Sequence, residues 1–384
     1  MSTAAVRNRH FDDLFATPDL RWLGQNTNHV PAHPAVLRAM TDAIQGEEFH
    51  AYAPPLGFEA LRSAIVADLG LEGAGLEGIG AVALVTEGGV SALALLVKAR
   101  CRPGSRFVTT DPTWKWPCLF ARQAGAEVVE IPIYDPAVGY RLTAERLAAE
   151  VDERTSIIYV VDPNNPLGVS YSRAEIEAFA AIARNVGALL IQDATYRDFA
   201  TDPYPVLATM PEGAAMTVSF SKWLGLAGMR IGALVAAPGL IAELAGLSHA
   251  ALGASVVAQR GAMAGLAVKG EWMAKVRALD DANKAAIHAR VQETPGLSIP
   301  VYPSHGNFLV IETGAAGIKP EALAEVYRRR RIMIRHGAYH TQRFGDRFVK
   351  VSTSVPAEWV AEFCDLLPAM VEEARSLNAP PELF

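Results

Sequence analysis

Cysteine is scarce in this sequence. The three cysteines, Cys101, Cys118 and Cys364, lie far apart and form no Cys-x-x-Cys pair. This spacing argues against a disulfide scaffold and against a zinc site, so we expect no metal. The first residues also lack the apolar core of a signal peptide, and no apolar run reaches the roughly 20 residues that cross a bilayer. From these absences we expect a cytoplasmic protein without a membrane partner.

A broad excess of positive charge is also absent. The formal net charge is −6, and the only basic run, Arg328 to Arg331, is typical of a solvated helix end. Nucleic acid is therefore not an expected partner. Apolar residues, in contrast, make up 51% of the 384 residues, against 20% that are charged. This balance indicates a globular protein with room for one large domain and a smaller one.

Strand-like and helix-like segments alternate along the chain before residue 270. Continuous apolar strands that alternate with amphipathic helices predict a mainly parallel sheet covered by helices on both faces. A sheet of this kind places ligands at the carboxyl ends of its strands. The predicted strands are 81–86, 105–110, 127–132, 156–161, 187–192, 216–220 and 230–236.

The pattern changes after about residue 270, where a long charged helix (272–292) leads to a mixture of strands and helices. We expect an α/β protein with a large domain over 46–275. A smaller α+β domain would combine the N-terminal segment 1–45 with the C-terminal third, 276–384. Its predicted elements are strands at 307–312, 332–335 and 347–352 and helices at 320–330 and 357–376.

One lysine has an unusual setting. Lys222 lies in the segment Ser219-Phe-Ser-Lys-Trp-Leu-Gly-Leu-Ala-Gly-Met-Arg230, with apolar or small residues on almost every side. Burial there would lower the pKa of the ammonium group and leave a neutral amine, as a Schiff-base lysine requires. A structural lysine whose stem packs while its head group reaches water fits the same pattern. The residue alone leaves both interpretations open.

Other polar or flexible motifs follow predicted strands, and each has an ordinary structural alternative. Gly88-Gly89-Val90 sits at a strand-to-helix turn that would suit an anion or be a plain tight turn. Asn165 lies in a loop rich in proline and asparagine that could hold it rigidly. Asp193 could pair with a buried cation or cap a helix, and Trp114 could stack on a ligand or pack in the core.

In their order and spacing these motifs resemble those of the fold-type I pyridoxal-phosphate enzymes, specifically the class I/II aminotransferase family. The resemblance runs from about Gln25 to about Ser354 and implies pyridoxal 5′-phosphate as the cofactor. The family pattern is a Gly-rich turn, an aromatic residue, an NPxG asparagine, D-x-x-Y and S-x-S-K-x-x-G-x-x-G-x-R. The counterparts here are Gly88-Gly89-Val90, Trp114, Asn165 with Gly168, Asp193 with Tyr196, and the segment Ser219 to Arg230.

The resemblance also implies a role for each residue. Lys222 would hold the cofactor aldehyde, Asp193 would pair with the pyridinium N–H, and Tyr196 would hydrogen-bond the phenolic oxygen, which makes these three catalytic. Tyr52 matches a tyrosine that reaches the phosphate from the neighbouring subunit, which implies a homodimer. The remaining cofactor contacts would be Trp114 on the ring, Asn165 at the phenolic oxygen, and Gly88, Gly89, Val90, Ser219, Ser221 and Arg230 around the phosphate.

The substrate site departs from the family pattern at one position. Where the family has an arginine that clamps the substrate α-carboxylate, this sequence has Lys350, a point charge without a planar fork. Either the carboxylate is bound differently, through Arg343, Arg347 or Arg335, or the substrate is not a plain α-amino acid. The expected substrate contacts are Lys350, Gly24, Asn28 and Asn307, with Trp116 and the segment 336–340 as further candidates.

Transamination of an amino acid, through an external aldimine and a quinonoid, is the activity that the resemblance favours. The same cofactor residues would also serve β- or γ-elimination or replacement, decarboxylation or oxidation, so these alternatives stay open. A non-enzymatic cofactor-binding module of a regulator is a more remote alternative, because the sequence contains no basic winged-helix segment.

Overall fold

The computed structural model describes residues 3–71, 80–247 and 252–377, and every structural statement below refers to these residues. The strands, in chain order, are β1 (Arg21–Trp22), β2 (Val82–Thr86), β3 (Arg106–Asp111), β4 (Glu127–Pro132), β5 (Thr155–Val161), β6 (Leu189–Asp193), β7 (Ala214–Ser219), β8 (Gly232–Ala236), β9 (Phe308–Glu312), β10 (Ile332–Met333), β11 (Arg335–His336) and β12 (Phe348–Ser352). The helices are α1 (Thr3–Ala16), α2 (Pro34–Gln45), α3 (Glu59–Asp68), α4 (Gly89–Arg100), α5 (Trp116–Gln123), α6 (Ala144–Glu150), α7 (Arg173–Val186), α8 (Pro238–Leu247), α9 (Val256–Ala267), α10 (Lys269–Gln292), α11 (Pro320–Arg329) and α12 (Ala357–Arg375).

The central sheet has seven strands in the order β2-β8-β7-β6-β5-β3-β4. All neighbouring pairs from β7 to β4 are parallel, whereas β8 runs antiparallel to both β7 and β2. Successive side chains of β5 enter different cores: Ile157 and Tyr159 pack on one face, and Ile158 and Val160 on the other. The expected mainly parallel sheet, covered by helices on both faces, is therefore confirmed.

Helix boundaries follow local sequence signals. Helix α7 begins with a capping box in which Ser172 and Glu175 each hydrogen-bond the other's backbone N–H, and it ends at Gly187 in a left-handed conformation. Helix α4 begins directly after Gly88, which has a φ of +82°. This glycine lets the chain turn sharply out of β2, so that the first N–H groups of α4 face the carboxyl edge of the sheet.

A second, smaller sheet lies in the C-terminal third. Strands β11, β12 and β9 pair antiparallel in that order, and β1 pairs with β10 in parallel, which brings the N-terminal segment to the C-terminal third. Helix α10 connects the two cores, because Trp272 and Val276 pack in the large one and Ile287 and Val291 in the small one. We retain the division into 1–45, 46–275 and 276–384 as a proposal, with its last boundary inside this continuous helix.

All three cysteines are buried and carry free thiols. Within the three described ranges, no helix is both long and apolar enough to span a membrane.

Candidate active site

The carboxyl ends of the parallel strands open onto a cavity of about 460 Å³. Strand β6 ends at Asp193 and lies between β5, which leads to Asn165, and β7, which ends at Ser219. Side chains from these three turns therefore converge, as the sheet rule predicts. Twelve residues proposed from the sequence line this cavity: Gly24, Gly89, Val90, Trp114, Asn165, Asp193, Tyr196, Ser219, Ser221, Lys222, Arg230 and Lys350.

Lys222 follows β7 and points its amine into the cavity. Its Nζ donates a hydrogen bond to the backbone carbonyl of Gln25 at 3.1 Å. Burial first, and then the positive charge of Arg230, lower the pKa of this lysine to about 8, against the opposing effect of Asp193. A large fraction of the side chain is therefore a neutral amine near pH 8, which is the nucleophilic form.

Asp193 is a buried carboxylate surrounded by hydroxyl groups. It accepts hydrogen bonds from Tyr159 Oη at 2.9 Å, Thr195 Oγ1 at 2.6 Å and Thr217 Oγ1 at 3.1 Å. Burial raises its pKa, and these hydrogen bonds oppose that rise. In the described part of the chain it makes no salt bridge. A protonated pyridine nitrogen would supply the missing positive charge, so this carboxylate fits the expected cofactor.

A hydrogen-bonded chain of side chains crosses the same cavity. Asn26 Nδ2 and Asn165 Nδ2 both donate to Tyr196 Oη, at 2.9 and 3.3 Å, and Lys350 Nζ donates to Asn165 Oδ1 at 3.2 Å. Asn26 Oδ1 and Gln25 Nε2 are buried without a hydrogen-bond partner in the described residues. Because buried polar atoms are normally paired, these groups indicate a site for a polar ligand.

The turn before α4 forms an anion cradle with Arg230. A side chain at Gly88 would place its Cβ 2.7 Å from Arg230 Nη2 and would displace the guanidinium from its position at this helix start. Arg230 itself has a φ of +52°. Ser219 and Ser221 line the cavity beside it. Unpaired N–H groups, a guanidinium and two hydroxyls together suit a phosphate, which is the second feature that fits pyridoxal phosphate.

Two basic residues lie side by side at the substrate end of the cavity. Arg335 on β11 is the direct antiparallel partner of Lys350 on β12, and both line the cavity with 5% and 3% of their surface exposed. Arg335 also stacks on the ring of Tyr339, 4.4 Å from its centroid. The other two arginines considered from the sequence lie elsewhere. Arg343 is exposed near Asp111, and Arg347 binds Glu312 at 2.8 and 2.6 Å.

Four residues proposed from the sequence do not line the cavity. Asn28 is buried, with its Nδ2 donating to the backbone carbonyl of Trp223 and its Oδ1 accepting from the N–H of Val30. Asn307 is also buried, and its Nδ2 donates to the backbone carbonyl of Asn26 and to Ser354 Oγ. A substrate contact of either residue stays a prediction. Tyr52 is 82% exposed on the surface of this single chain. Gly88 contacts Arg230 behind the cavity wall.

Several further residues line the cavity beyond those that the sequence motifs select. Helix α1 contributes Arg7, which stacks on Trp116 at 4.2 Å, and Phe11. No motif marks these two residues; α1 is followed by β1, which pairs with β10 in the C-terminal third. The others are Gln25, Asn26, Trp116, Phe120, Val161, Thr195, Arg335, Tyr339 and His340, of which the sequence offers Trp116, Arg335 and the segment 336–340 only as alternatives or further candidates.

Comparison with known proteins agrees with this geometry. The profile of the family described as aminotransferase class I and II matches residues 18–367. A histidinol-phosphate aminotransferase of Rhodospirillum centenum is 31% identical over 84% of this chain and 84% of its own length. An aromatic amino acid aminotransferase of Rhodococcus jostii is 29% identical, covering 92% and 91%. The solved N-succinyldiaminopimelate aminotransferase from Mycobacterium tuberculosis shares the fold, with a TM-score of 0.82 at 24% identity over 95% and 97% of the two chains.

The fold and the lysine-centred cavity define a pyridoxal-phosphate enzyme of fold-type I. More particularly, the chain belongs to the aminotransferase class I and II family and is a pyridoxal-phosphate-dependent aminotransferase. The favoured expectation from the sequence, transamination, is thereby confirmed. Its relatives are named for histidinol phosphate, aromatic amino acids and aspartate, so membership of the family does not select one substrate.

Proposed function

We propose that this enzyme takes the amino group from an α-amino acid whose carboxylate lies between Arg335 and Lys350, with Lys222 as the cofactor anchor and as the base at Cα. One observation carries the proposal: the reactive lysine and the pair of buried basic residues line the same cavity. Bound pyridoxal phosphate supplies an electron sink for the charge that develops at Cα. The protein groups must therefore hold the substrate, keep the ring protonated and move one proton.

Each of these tasks has a residue in the proposal. Asp193, a buried carboxylate, keeps a proton on the ring nitrogen, and Arg230 with the start of α4 fixes the phosphate. Lys222, once released from the cofactor, carries the proton between Cα and the cofactor, because its lowered pKa of about 8 lets the amine exchange a proton near neutral pH. Trp114 lines the cavity beside these groups and would cover the ring face.

The first test uses the visible absorbance of the enzyme loaded with pyridoxal phosphate. A panel of α-amino acids should include at least one that converts the bound cofactor to its amine form and releases the keto acid. In Lys222→Ala, borohydride should no longer trap the cofactor on the protein. The rate of amino-group transfer should fall by about 10³-fold or more. Lys319→Ala, a change at an exposed lysine of the same chain, is the control and should behave like the wild type.

Two outcomes would contradict this proposal. Covalent trapping that persists in Lys222→Ala would place the anchor at another lysine. Release of ammonia or peroxide in place of a stoichiometric keto acid and aminated cofactor would show elimination or oxidation, so both products should be measured in the same reactions.

We also propose that the enzyme is a homodimer in which Tyr52 reaches the partner's phosphate site. Tyr52 is 82% exposed, and the exposed apolar side chains Phe49 (54%), Ile44 (52%) and Leu37 (50%) lie close to it in sequence, on α2 and just after it. A second copy of the chain that covers this face would bury these side chains and give the exposed tyrosine a function.

A cytoplasmic location is proposed as well. The support is that Cys101, Cys118 and Cys364 are all free, buried thiols. A reducing compartment keeps such thiols unpaired. Cell fractionation with an antibody against the chain would test this location.

A further inference from the structure

His340 is a buried cavity residue whose ring nitrogens have no hydrogen-bond partner among the described residues. It is 3% exposed and lines the same cavity as Lys222. Neither Nδ1 nor Nε2 has a hydrogen-bond partner in the described part of the chain. Leaving a buried imidazole without hydrogen bonds is unfavourable. Two nitrogens without hydrogen-bond partners at a cavity wall therefore indicate that a ligand forms hydrogen bonds with them.

The surroundings of His340 are basic. Burial lowers its pKa well below the usual value, and the positive charges of Lys350 on β12, Arg335 on β11 and Lys115 before α5 lower it further, as does neighbouring His336. The ring is therefore neutral in the ligand-free chain and offers one N–H donor and one acceptor. Among the described residues, Asp193 is the only carboxylate that lines the cavity, and its partners are the hydroxyls named above.

The loop that carries His340 is held in place on both sides. Lys115 Nζ donates to the backbone carbonyl of Ala338 at 3.2 Å, and Thr341 hydrogen-bonds the carboxylate of Asp111. The loop is also closed tightly on itself, because a Cβ on Gly337 would lie 2.5 Å from the backbone oxygen of Gly345. The imidazole is thus presented to the cavity by a fixed backbone.

We propose that His340 donates a hydrogen bond to the α-carboxylate of the substrate and so completes, with Arg335 and Lys350, a three-sided pocket for that group. The inference rests on the proposed function, since it concerns how the same amino acid is held. It also explains how the site works without the family's clamping arginine at position 350. Lys350 donates to Asn165 and cannot form a two-pronged contact, so His340 would add to Arg335 an N–H group that the lysine does not supply.

The alternative role of a proton-transferring base fits His340 less well. Three positive charges around the ring make it a weak base, and Lys222 already supplies an amine in the cavity. A carboxylate, in contrast, is attracted by these basic groups, and of the three Arg335 and Lys350 line the cavity and can donate hydrogen bonds to it.

The test is binding of 3-phenylpropionate, which has one carboxylate, no amino group and an aromatic ring that suits the wall formed by Phe11, Trp116 and Phe120. Binding to the enzyme loaded with pyridoxal phosphate is read from its visible absorbance. His340→Phe should weaken binding about tenfold or more, and His340→Gln, which keeps an N–H group, should stay within about threefold of the wild type.

His336→Phe is the matched control. His336 is a buried histidine on the same strand-and-loop segment, lies near Glu321 and does not line the cavity. This variant should bind 3-phenylpropionate as the wild type does. If His340→Phe does not take up the cofactor, His340→Met, which has a comparable volume and no N–H group, replaces it in the comparison.

A kinetic readout separates a substrate contact from a structural role. With the best donor of the amino acid panel, the His340 variant that lacks an N–H group should show a KM raised about tenfold, with kcat within about threefold. Unchanged affinity for 3-phenylpropionate in that variant would overturn the proposal. Weakened binding of the dicarboxylate maleate alone would also overturn it, because the contact would then be to a side-chain carboxylate.

Failure of the proposed function would look different. In that case the wild type itself would not transfer an amino group from any amino acid, whereas the dependence of 3-phenylpropionate binding on His340 would be measured independently of turnover.

Discussion

Lys222 carries the reactive amine, and its environment sets the pH at which that amine is available. Burial and the charge of Arg230 lower its pKa from 10.5 to about 8 in the cofactor-free chain. Below this pKa, the neutral fraction falls about tenfold for each pH unit, and above it the fraction is nearly constant. An unperturbed lysine would continue to gain neutral amine up to about pH 10.

Capture of pyridoxal phosphate by the cofactor-free enzyme should follow this curve. The rate constant, measured from visible absorbance between pH 6 and 10, should rise about tenfold per unit at low pH and level off near pH 8. N-acetyl-lysine, measured under the same conditions, corrects for the titration of the cofactor itself. A rate that is still climbing at pH 9.5 would show that the site does not lower the pKa of Lys222.

The amine of Lys222 is also held by a hydrogen bond to the backbone carbonyl of Gln25. Gln25 belongs to the segment that follows β1, so the ligand-free amine is held by the N-terminal part of the chain. The segment 24–26 therefore borders the reactive amine.

At the scale of elements, the turn from β2 into α4 forms part of the proposed phosphate site. Gly88 has a φ of +82°, and its missing side chain leaves room for the guanidinium of Arg230. Gly104, in the turn before β3, has a similar φ of +87°, but a Cβ added there would meet no atom within 4 Å. Alanine would have a strained backbone at either position, but only Gly88 lies against Arg230.

Gly88→Ala and Gly104→Ala should therefore separate these effects. Both variants should lose about 1 kcal/mol of unfolding free energy, because alanine is disfavoured at positive φ. Only Gly88→Ala should also weaken pyridoxal-phosphate binding, by about tenfold or more, since the displaced guanidinium is a charge-assisted phosphate contact. Thermal unfolding and a cofactor titration measure the two quantities. Equal cofactor affinities in the two variants would remove Arg230 from the phosphate site.

Whether a site residue can be predicted from the sequence also depends on the secondary-structure element that carries it. The turns after β5, β6 and β7 could be placed together from the sequence, because parallel strands end at one edge of a sheet. Asn165, Asp193 and Ser219 therefore converge as expected. Arg335 could not be selected over Arg343 and Arg347 in this way. Strand β11 has only two residues, and its register against Lys350 depends on non-local pairing.

Residues in irregular segments are the least predictable. In the stretch 24–28, the structure turns Asn26 into the cavity and Asn28 toward the backbone of Trp223, and the sequence offers no period that distinguishes the two. His340 lies in a loop, where a polar side chain is normally exposed. Its burial follows from docking of that loop on Asp111 and Lys115, which is a contact between distant parts of the chain.

At the scale of the whole molecule, the position of Tyr52 raises the question of which subunit's site it serves. Tyr52 does not line the cavity of its own chain and is 82% exposed. If it reaches the partner's phosphate, each site of the dimer is built from Lys222 of one subunit and Tyr52 of the other. A sequence motif cannot distinguish this arrangement from a contact within one chain, but mixed dimers can.

Hybrid dimers of Lys222→Ala and Tyr52→Ala subunits, purified through different tags, provide the test. With Tyr52 acting across the interface, one site of the hybrid has both defects, and the other has an intact Lys222 and an intact Tyr52. Its activity at limiting cofactor should equal that of a matched hybrid of Lys222→Ala with the wild type, which also has one complete site. If Tyr52 acts within its own chain, no site of the first hybrid is complete. Its activity per intact Lys222 should then fall to that of the Tyr52→Ala homodimer. Where the Tyr52→Ala homodimer is impaired, equal activity of the two hybrids requires a shared site, because only a tyrosine supplied by the other subunit completes the site of the one functional lysine.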